Sequence, residues 1–352
     1  MKTKIVKIDE NNIDPEAIKE AGEVLKNGGL VAFPTETVYG LGGDALNEAS
    51  SAKIYAAKGR PSDNPLIVHI SKMESLSGIV KEIPKAAYLI AEKYWPGPLT
   101  MIFHKSDAVP YATTGGLETV AVRMPSHKTA RALIDAAGGY VAAPSANRSG
   151  RPSPTVARYV IEDLDGQVEM IIDGGEVSIG LESTIIDLTG EHPMILRPGY
   201  ITQAMLEEAA GEIEVDSTII DSNSGQAPKA PGMKYRHYAP KGELTIVEGE
   251  PEAVVDHINK ELTKFLGTDI KTGVIATDET AARYLGGVIK SVGRREDEEA
   301  IARHLFRILR EFDDDEVQVI FAESFPREGI GQAIMNRLLK AAGHRIVQAK
   351  RA

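Results

Sequence analysis

The sequence predicts an α/β protein of two domains, a larger one on an open mixed sheet and a smaller one on a mainly parallel sheet. Three observations carry this expectation. Short apolar runs alternate with helix-patterned stretches along the chain. At 352 residues there is room for two cores. A Pro/Gly-rich, acid-free stretch at 223–242 divides the alternation into two blocks.

In the first block, residues 30–33, 66–70 and 99–103 read as strands, with helices expected at about 15–27, 49–57 and 84–94. Asp14 is a natural N-cap, Pro15 suits the first helical position, and Gly28-Gly29 stops the helix. Further strands are expected at 120–123, 140–142, 170–172, 183–188 and 194–196, and a helix from about Thr202. Several connections are short, which argues for a mixed sheet. Past the break, 244–247, 273–276, 288–292 and 317–321 read as strands. Helices fit 251–265, 279–285, 295–311 and 331–342, the pattern of a small open α/β domain. The boundaries read 1–212, a linker at 213–242, and 243–352.

Composition narrows the function. The apolar fraction of 42% and charged fraction of 26% are ordinary for a globular protein. A net charge of −11 argues against a general nucleic-acid coat. The absence of cysteine excludes disulfides, zinc–thiolate sites and cysteine nucleophiles, and fits a reducing cytoplasm. No apolar run approaches the roughly eighteen residues of a membrane span, and the N-terminus lacks an apolar signal core. The expected location is cytoplasmic. Residues 223–242 carry Lys229, Lys234, Arg236 and Lys241 against no acid, with Met233, Tyr235, His237 and Tyr238 interleaved. A plain tether needs none of these aromatics; a segment folding over an anionic site does.

The sequence contains no GxxxxGK[ST], HExxH or GxSxG pattern. Gly329-Ile330-Gly331 lacks the third glycine of a dinucleotide fingerprint and reads as helix-start packing. Glu296-Asp297-Glu298-Glu299 reads as a solvated helix start. Two polar pairs stand out instead: Lys58 with Arg60, and Ser145 with Asn147. On extended backbone an i, i+2 spacing points both side chains of a pair to one face. Pro61 and Pro144 argue against helix at either pair. Cations and hydroxyls so placed suit a phosphate- or carboxylate-bearing ligand. Thr35-Glu36-Thr37, Arg123 and Arg197 lie at strand ends, and His69 is embedded in an apolar strand. Several cations without an acid–base dyad suggest chemistry run by positioning and charge neutralisation, as in nucleotidyl transfer. Any metal is expected as Mg²⁺ carried on phosphates, with no dedicated metal site.

Read together, the segments resemble one family: Pro34-Thr35-Glu36-Thr37-Val38-Tyr39-Gly40-Leu41, Lys58-Gly59-Arg60-Pro61 with Asn64-Pro65-Leu66, Trp95-Pro96-Gly97-Pro98-Leu99-Thr100, Val122-Arg123-Met124-Pro125, Ala143-Pro144-Ser145-Ala146-Asn147, Glu182-Ser183-Thr184-Ile185 and Arg197-Pro198-Gly199. They are similar to the YrdC-domain L-threonylcarbamoyladenylate synthases. The stretches at 230–240 and 329–338 resemble the long, two-domain form. The resemblance implies a YrdC-like open twisted mixed sheet with a positively lined cavity, followed by a smaller, Rossmann-like α/β domain. It implies that L-threonine, bicarbonate or CO₂, and Mg-ATP give threonylcarbamoyl-AMP and pyrophosphate, with hand-off to a tRNA threonylcarbamoyl-transferase. It implies threonine contacts at Thr35, Thr37, His69, Arg123, Ala143 and Ser183. ATP contacts follow at Arg60, Asn64, Thr119, Ser145, Ser153 and Arg197. Lys58, Arg60, Ser145 and Asn147 are then the catalytic set, with Lys58 near the phosphates or the carbamate to stabilise negative charge and Asn147 orienting a ligand or a neighbouring side chain. Tyr235, Arg236 and Tyr238 become parts of a lid over the nucleotide. Two other readings stay open at this stage. One is a non-catalytic RNA-binding or ribosome-maturation module, with tRNA contact undecided. The other is a carbamoyl transferase of the hydrogenase-maturation kind, which the lack of cysteine disfavours.

Overall fold

The computed structural model describes residues 2–216, 219 and 237–350. Two compact units emerge, Met1–Ser149 with Ser153–Tyr235, and Gly150–Pro152 with Arg236–Ala352. The assignment of 150–152 to the second unit has no compositional signal.

The first unit runs β1 (Lys4–Lys7), α1 (Pro15–Lys26), β2 (Val31–Phe33), β3 (Gly40–Asp44), α2 (Glu48–Lys58), β4 (Ile67–His69), a 3₁₀ segment Met73–Gly78, α3 (Lys85–Tyr94) and β5 (Leu99–His104). It continues α4 (Tyr111–Thr114), β6 (Thr119–Arg123), α5 (Lys128–Ala136), β7 (Val141–Ala142), α6 (Ala157–Leu164), β8 (Met170–Asp173), β9 (Thr184–Asp187), β10 (Met194–Arg197), α7 (Gln203–Ala210) and β11 (Glu214–Val215). The strands form one mixed sheet in the order β1-β8-β2-β3-β7-β4-β6-β5-β9-β10-β11. β11 pairs in parallel with β10, so this sheet runs past residue 212 into the stretch read as linker.

Helices cover both faces. Val31 and Phe33 of β2 pack with Leu25 of α1 and Leu133 of α5, whereas Leu30 and Ala32 belong to the core that holds Ile54 of α2 and Val160 of α6. Successive residues of a strand face opposite sides, so a strand covered twice reads as an unbroken apolar run. Asp14 caps α1 by accepting from the amides of Glu16 and Ala17, with Pro15 at the first turn as expected.

The second unit runs β12 (Glu243–Glu248), α8 (Pro251–Thr263), β13 (Thr272–Ala276), a 3₁₀ turn Ala281–Arg283, β14 (Val288–Ser291), α9 (Glu298–Asp314), β15 (Val319–Glu323), α10 (Gly329–Ala341) and β16 (Ile346–Gln348). Its five strands are all parallel, in the order β14-β13-β15-β12-β16. Gly331 is indeed helix-start packing: a Cβ there would lie 2.3 Å from the Pro326 carbonyl oxygen.

Some expectations are corrected. The helix read at 279–285 is only the 3₁₀ turn, since Tyr284 leaves it in extended conformation. The short strands β1, β3, β11 and β16 carry weak or mixed patterns, whereas α5 and α6, which the sequence reading leaves out together with the one-turn α4, each bury a clear apolar face. β3 reads GLGGD, where glycines admit neighbours no side chain would. A Cβ on Gly42 would meet Phe33 and Val141 at 2.9 Å. Among the described residues, no helix is long and apolar enough to cross a membrane.

Candidate active site

β4 and β6 run side by side in parallel, with Ile67 opposite Ala121 and His69 opposite Arg123. Antiparallel β5 then sets Thr100 opposite Arg123. Thr100 Oγ1 and Ser183 Oγ lie 2.7 Å apart. Arg197, at the end of β10, donates through Nε to the Ser183 carbonyl at 3.0 Å and through Nη2 to Ser183 Oγ at 3.2 Å. His69, Arg123, Thr100, Ser183 just before β9, and Arg197 thus form a buried row across five neighbouring strands. Pairing register builds this row from residues scattered over about 130 positions of sequence.

Arg123 is 4% exposed and held on three sides. Its Nη1 donates to Thr37 Oγ1 at 2.8 Å, its Nε to the Gly97 carbonyl at 3.4 Å, and its Nη2 lies 2.7 Å from Glu36 Oε1. The loop that brings Thr35, Glu36 and Thr37 there is itself fixed. Thr35 Oγ1 sits 2.9 Å from Thr37 Oγ1 and donates to the Val38 carbonyl at 2.7 Å. The amides of Ile179 and Gly180 donate to the carbonyls of Glu36 and Thr37.

The His69 ring is edge-on to Phe33 and its Nδ1 faces the Ile67 carbonyl at 3.1 Å. Burial, then the nearby Arg123 charge, push its pKa down to about 3, against smaller opposing effects of the Ile67 and Val141 carbonyls. His69 is therefore a neutral imidazole. Whichever ring nitrogen carries the proton, the other is an acceptor. Ala143 lies alongside, its amide donating to the Ile67 carbonyl at 2.9 Å.

Lys58 and Arg60 do not share an extended face, which corrects the sequence reading. Lys58 is the last residue of α2, and Gly59, at φ 60, ends the helix in the left-handed region where a glycine costs least. Lys58 is 3% exposed, and its ammonium donates to the carbonyls of Ser145 and Asn147. Its own carbonyl accepts from the Ser149 amide at 2.8 Å. Ser145 and Asn147 do share a face: Ser145 Oγ donates to Asn147 Oδ1 at 2.5 Å. One lysine thus clamps the 145–149 loop from side chain and main chain. Arg60 turns away, donating to the carbonyls of Asn64 at 3.2 Å and Pro65 at 3.0 Å.

Asn64 is 2% exposed, and its Oδ1 accepts no hydrogen bond among the described residues. Thr119 begins β6, about 13 Å along the strand from Arg123 and at the end where 64–66 lead into β4. Ser153 donates to Glu182 at 2.6 Å, beside Ser183. The candidates therefore gather at two ends of the β4/β6 pair, His69 and Arg123 at one, Arg60, Asn64 and Thr119 at the other. Tyr238 lies in the second unit, left-handed at φ 64, 5% exposed and with its ring on Phe306 at 5.0 Å. Tyr235 and Arg236, and with them the lid reading, lie outside the described residues. Glu36 and Thr100 join the site through the fold, since the motifs that contain them assign neither a role. Glu36 was signalled by its place between two threonines assigned to the site.

The comparisons with known proteins extend over both units. Residues 23–199 match a family model described as "Telomere recombination", and residues 201–343 one described as "Threonylcarbamoyl-AMP synthase, C-terminal domain". A threonylcarbamoyl-AMP synthase of Pyrococcus abyssi is 48% identical over 339 residues, covering 96% of this chain and 97% of that protein. One of Bacillus subtilis is 47% identical, covering 97% of each. The crystal structure of P. abyssi Sua5 complexed with L-threonine aligns over 99% of this chain and all of the other at TM-score 0.93 and 47% identity. The structure of E. coli YciO shares the fold of the first unit at 24% identity and TM-score 0.50. A wide mixed sheet joined to a parallel α/β unit, with buried arginines and hydroxyls at the strand ends, puts the chain among the two-domain YrdC-type proteins. It belongs to the threonylcarbamoyl-AMP synthase family.

Proposed function

We propose that this chain is an L-threonylcarbamoyladenylate synthase, converting L-threonine, bicarbonate or CO₂, and Mg-ATP into threonylcarbamoyl-AMP and pyrophosphate. The observation that carries the reading is identity near one half, over essentially the whole chain, to synthases of that name. The buried row of donors supports it chemically.

In this reading Arg123 takes the threonine carboxylate, the planar fork suiting a bidentate contact. Thr35, Thr37, Ser183, the Ala143 main chain and neutral His69 surround the rest of the amino acid. Arg60, Asn64, Thr119, Ser145, Ser153 and Arg197 take the nucleotide, and Mg²⁺ enters on its phosphates. The unprotonated amine adds to CO₂, forming an N–C bond and losing one proton to give the carbamate. A carbamate oxygen then attacks the α-phosphorus, and the bond to the bridging oxygen of pyrophosphate breaks. The carbamate is already anionic, so the protein's task is to orient it and balance charge. Lys58 acts here chiefly by holding the 145–149 loop. The labile product suits direct use by a tRNA threonylcarbamoyl-transferase in the cytoplasm.

The test is pyrophosphate release by the purified chain with ATP and bicarbonate, with and without L-threonine, with the adenylate sought by mass spectrometry. Threonine-dependent release with the threonylcarbamoyl-AMP mass is expected. ATP binding without threonine-dependent release would overturn the proposal.

A further inference from the structure

Glu36 is a buried carboxylate, 6% exposed, inside the corner that holds Arg123. Oε1 is in ion contact with Arg123 Nη2, yet neither carboxylate oxygen accepts a hydrogen bond among the described residues. A buried charge of this kind is kept only where it serves a partner. Its backbone is pinned: the Glu36 carbonyl accepts from the Ile179 amide at 2.8 Å and from Ser178 Oγ at 3.4 Å. The side chain is therefore aimed by the fold. Two basic groups feel its charge, Arg123 and His127. His127 is mostly buried, and burial outweighs the pull of Glu10 and Glu36 on its proton. Arg123 is thus the permanent cation that Glu36 meets.

We propose that Glu36 is a positioning and specificity residue of the amino-acid subsite: it holds the Arg123 guanidinium and balances its charge, so that the subsite takes a zwitterionic α-amino acid in preference to a simple carboxylate. The inference rests on reading this corner as the threonine subsite. An Arg–Glu pair has no net charge. A ligand whose carboxylate joins Arg123 then leaves the corner negative unless it brings its own cation, and the α-ammonium supplies one. Without Glu36 the corner is a lone buried guanidinium, which a monoanion neutralises unaided.

The experiment compares dissociation constants, by calorimetry on the full chain, for L-threonine and for 3-hydroxybutanoate, which is threonine without its amino group. Wild type, Glu36→Gln and Glu36→Asp are measured. In wild type threonine binds more tightly. In Glu36→Gln the preference for threonine over 3-hydroxybutanoate falls by about tenfold or more, the scale of one charge-assisted contact. The KM for threonine rises while that for ATP is little changed. Glu36→Asp keeps the charge, so it keeps most of the preference even where both affinities drop. An unchanged preference in Glu36→Gln overturns the proposal, as does a preference lost equally in Glu36→Asp. Should Glu36→Gln not fold, Glu36→Ala takes its place beside Glu36→Asp under the same criteria. Wild type that binds no threonine would instead overturn the functional reading beneath it.

Discussion

His69 is a single buried imidazole with consequences for the stability of the whole first unit. Folded, it takes up a proton only near pH 3, whereas an unfolded histidine does so near 6.5. Between those values the unfolded chain binds the extra proton. Its contribution is complete above about pH 6.5 and is lost as pH falls toward 3, on the order of 4–5 kcal/mol between the limits. Trp95, the sole tryptophan, is buried in this unit and reports its unfolding. Urea midpoints followed by its fluorescence should fall steadily from pH 7 to 4.5. His69→Gln should flatten that slope by nearly one proton; an equal slope in both proteins would remove the argument. Arg123 makes a second prediction at this scale. Arg123→Lys keeps the charge but not the fork that reaches Thr37, Gly97 and Glu36. The KM for threonine should rise about 10–100-fold with the fold intact, as read by kinetics and circular dichroism.

At the scale of elements, the end of α2 and the 145–149 loop form one unit. Lys58→Met removes two hydrogen bonds to loop carbonyls and leaves both acceptors buried. Amide exchange in 145–149 should quicken, and kcat/KM for ATP should fall about 100-fold or more. Unchanged exchange together with the loss of activity would instead assign Lys58 directly to the phosphates. The turn after β10 is a close approach. A Cβ on Gly199 would lie 2.4 Å from the Thr184 amide nitrogen. Gly199→Ala must push β9 from β10 and disturb Arg197 and Ser183, at a cost of about 1–3 kcal/mol. A lowered Trp95 unfolding midpoint with a raised KM for ATP would show it.

For the whole molecule, the two ends of the β4/β6 pair predict where a ligand is felt. Adding L-threonine should slow amide exchange at His69, Arg123 and around Ser183, with little effect near Thr119. At 100 times its dissociation constant it should stabilise the folded chain by about 2.7 kcal/mol. Protection spread evenly over both sheets would contradict the placement of the subsite.

Much of this was legible in the amino-acid order, because it rests on local causes. Apolar runs bounded by Gly and Pro marked most strands of both sheets, and Asp14, Pro15 and Gly28 marked a helix end to end. The ordered motifs carried the family and most site candidates. What the order did not carry was pairing. β3 and β11 are too short or too glycine-rich to have a period, and are strands only because neighbours supply their hydrogen bonds. The spacing of Lys58 and Arg60 suggested one extended face, but Gly59 ends a helix between them and sends one cation to the 145–149 loop and the other to Asn64. The partnership of Glu36 with Arg123 spans 87 residues, and the buried row from His69 to Arg197 depends on the register of five strands. Local sequence encodes propensity and chemistry. Which groups meet, and in what charge state, follows from long-range pairing and the burial that pairing produces.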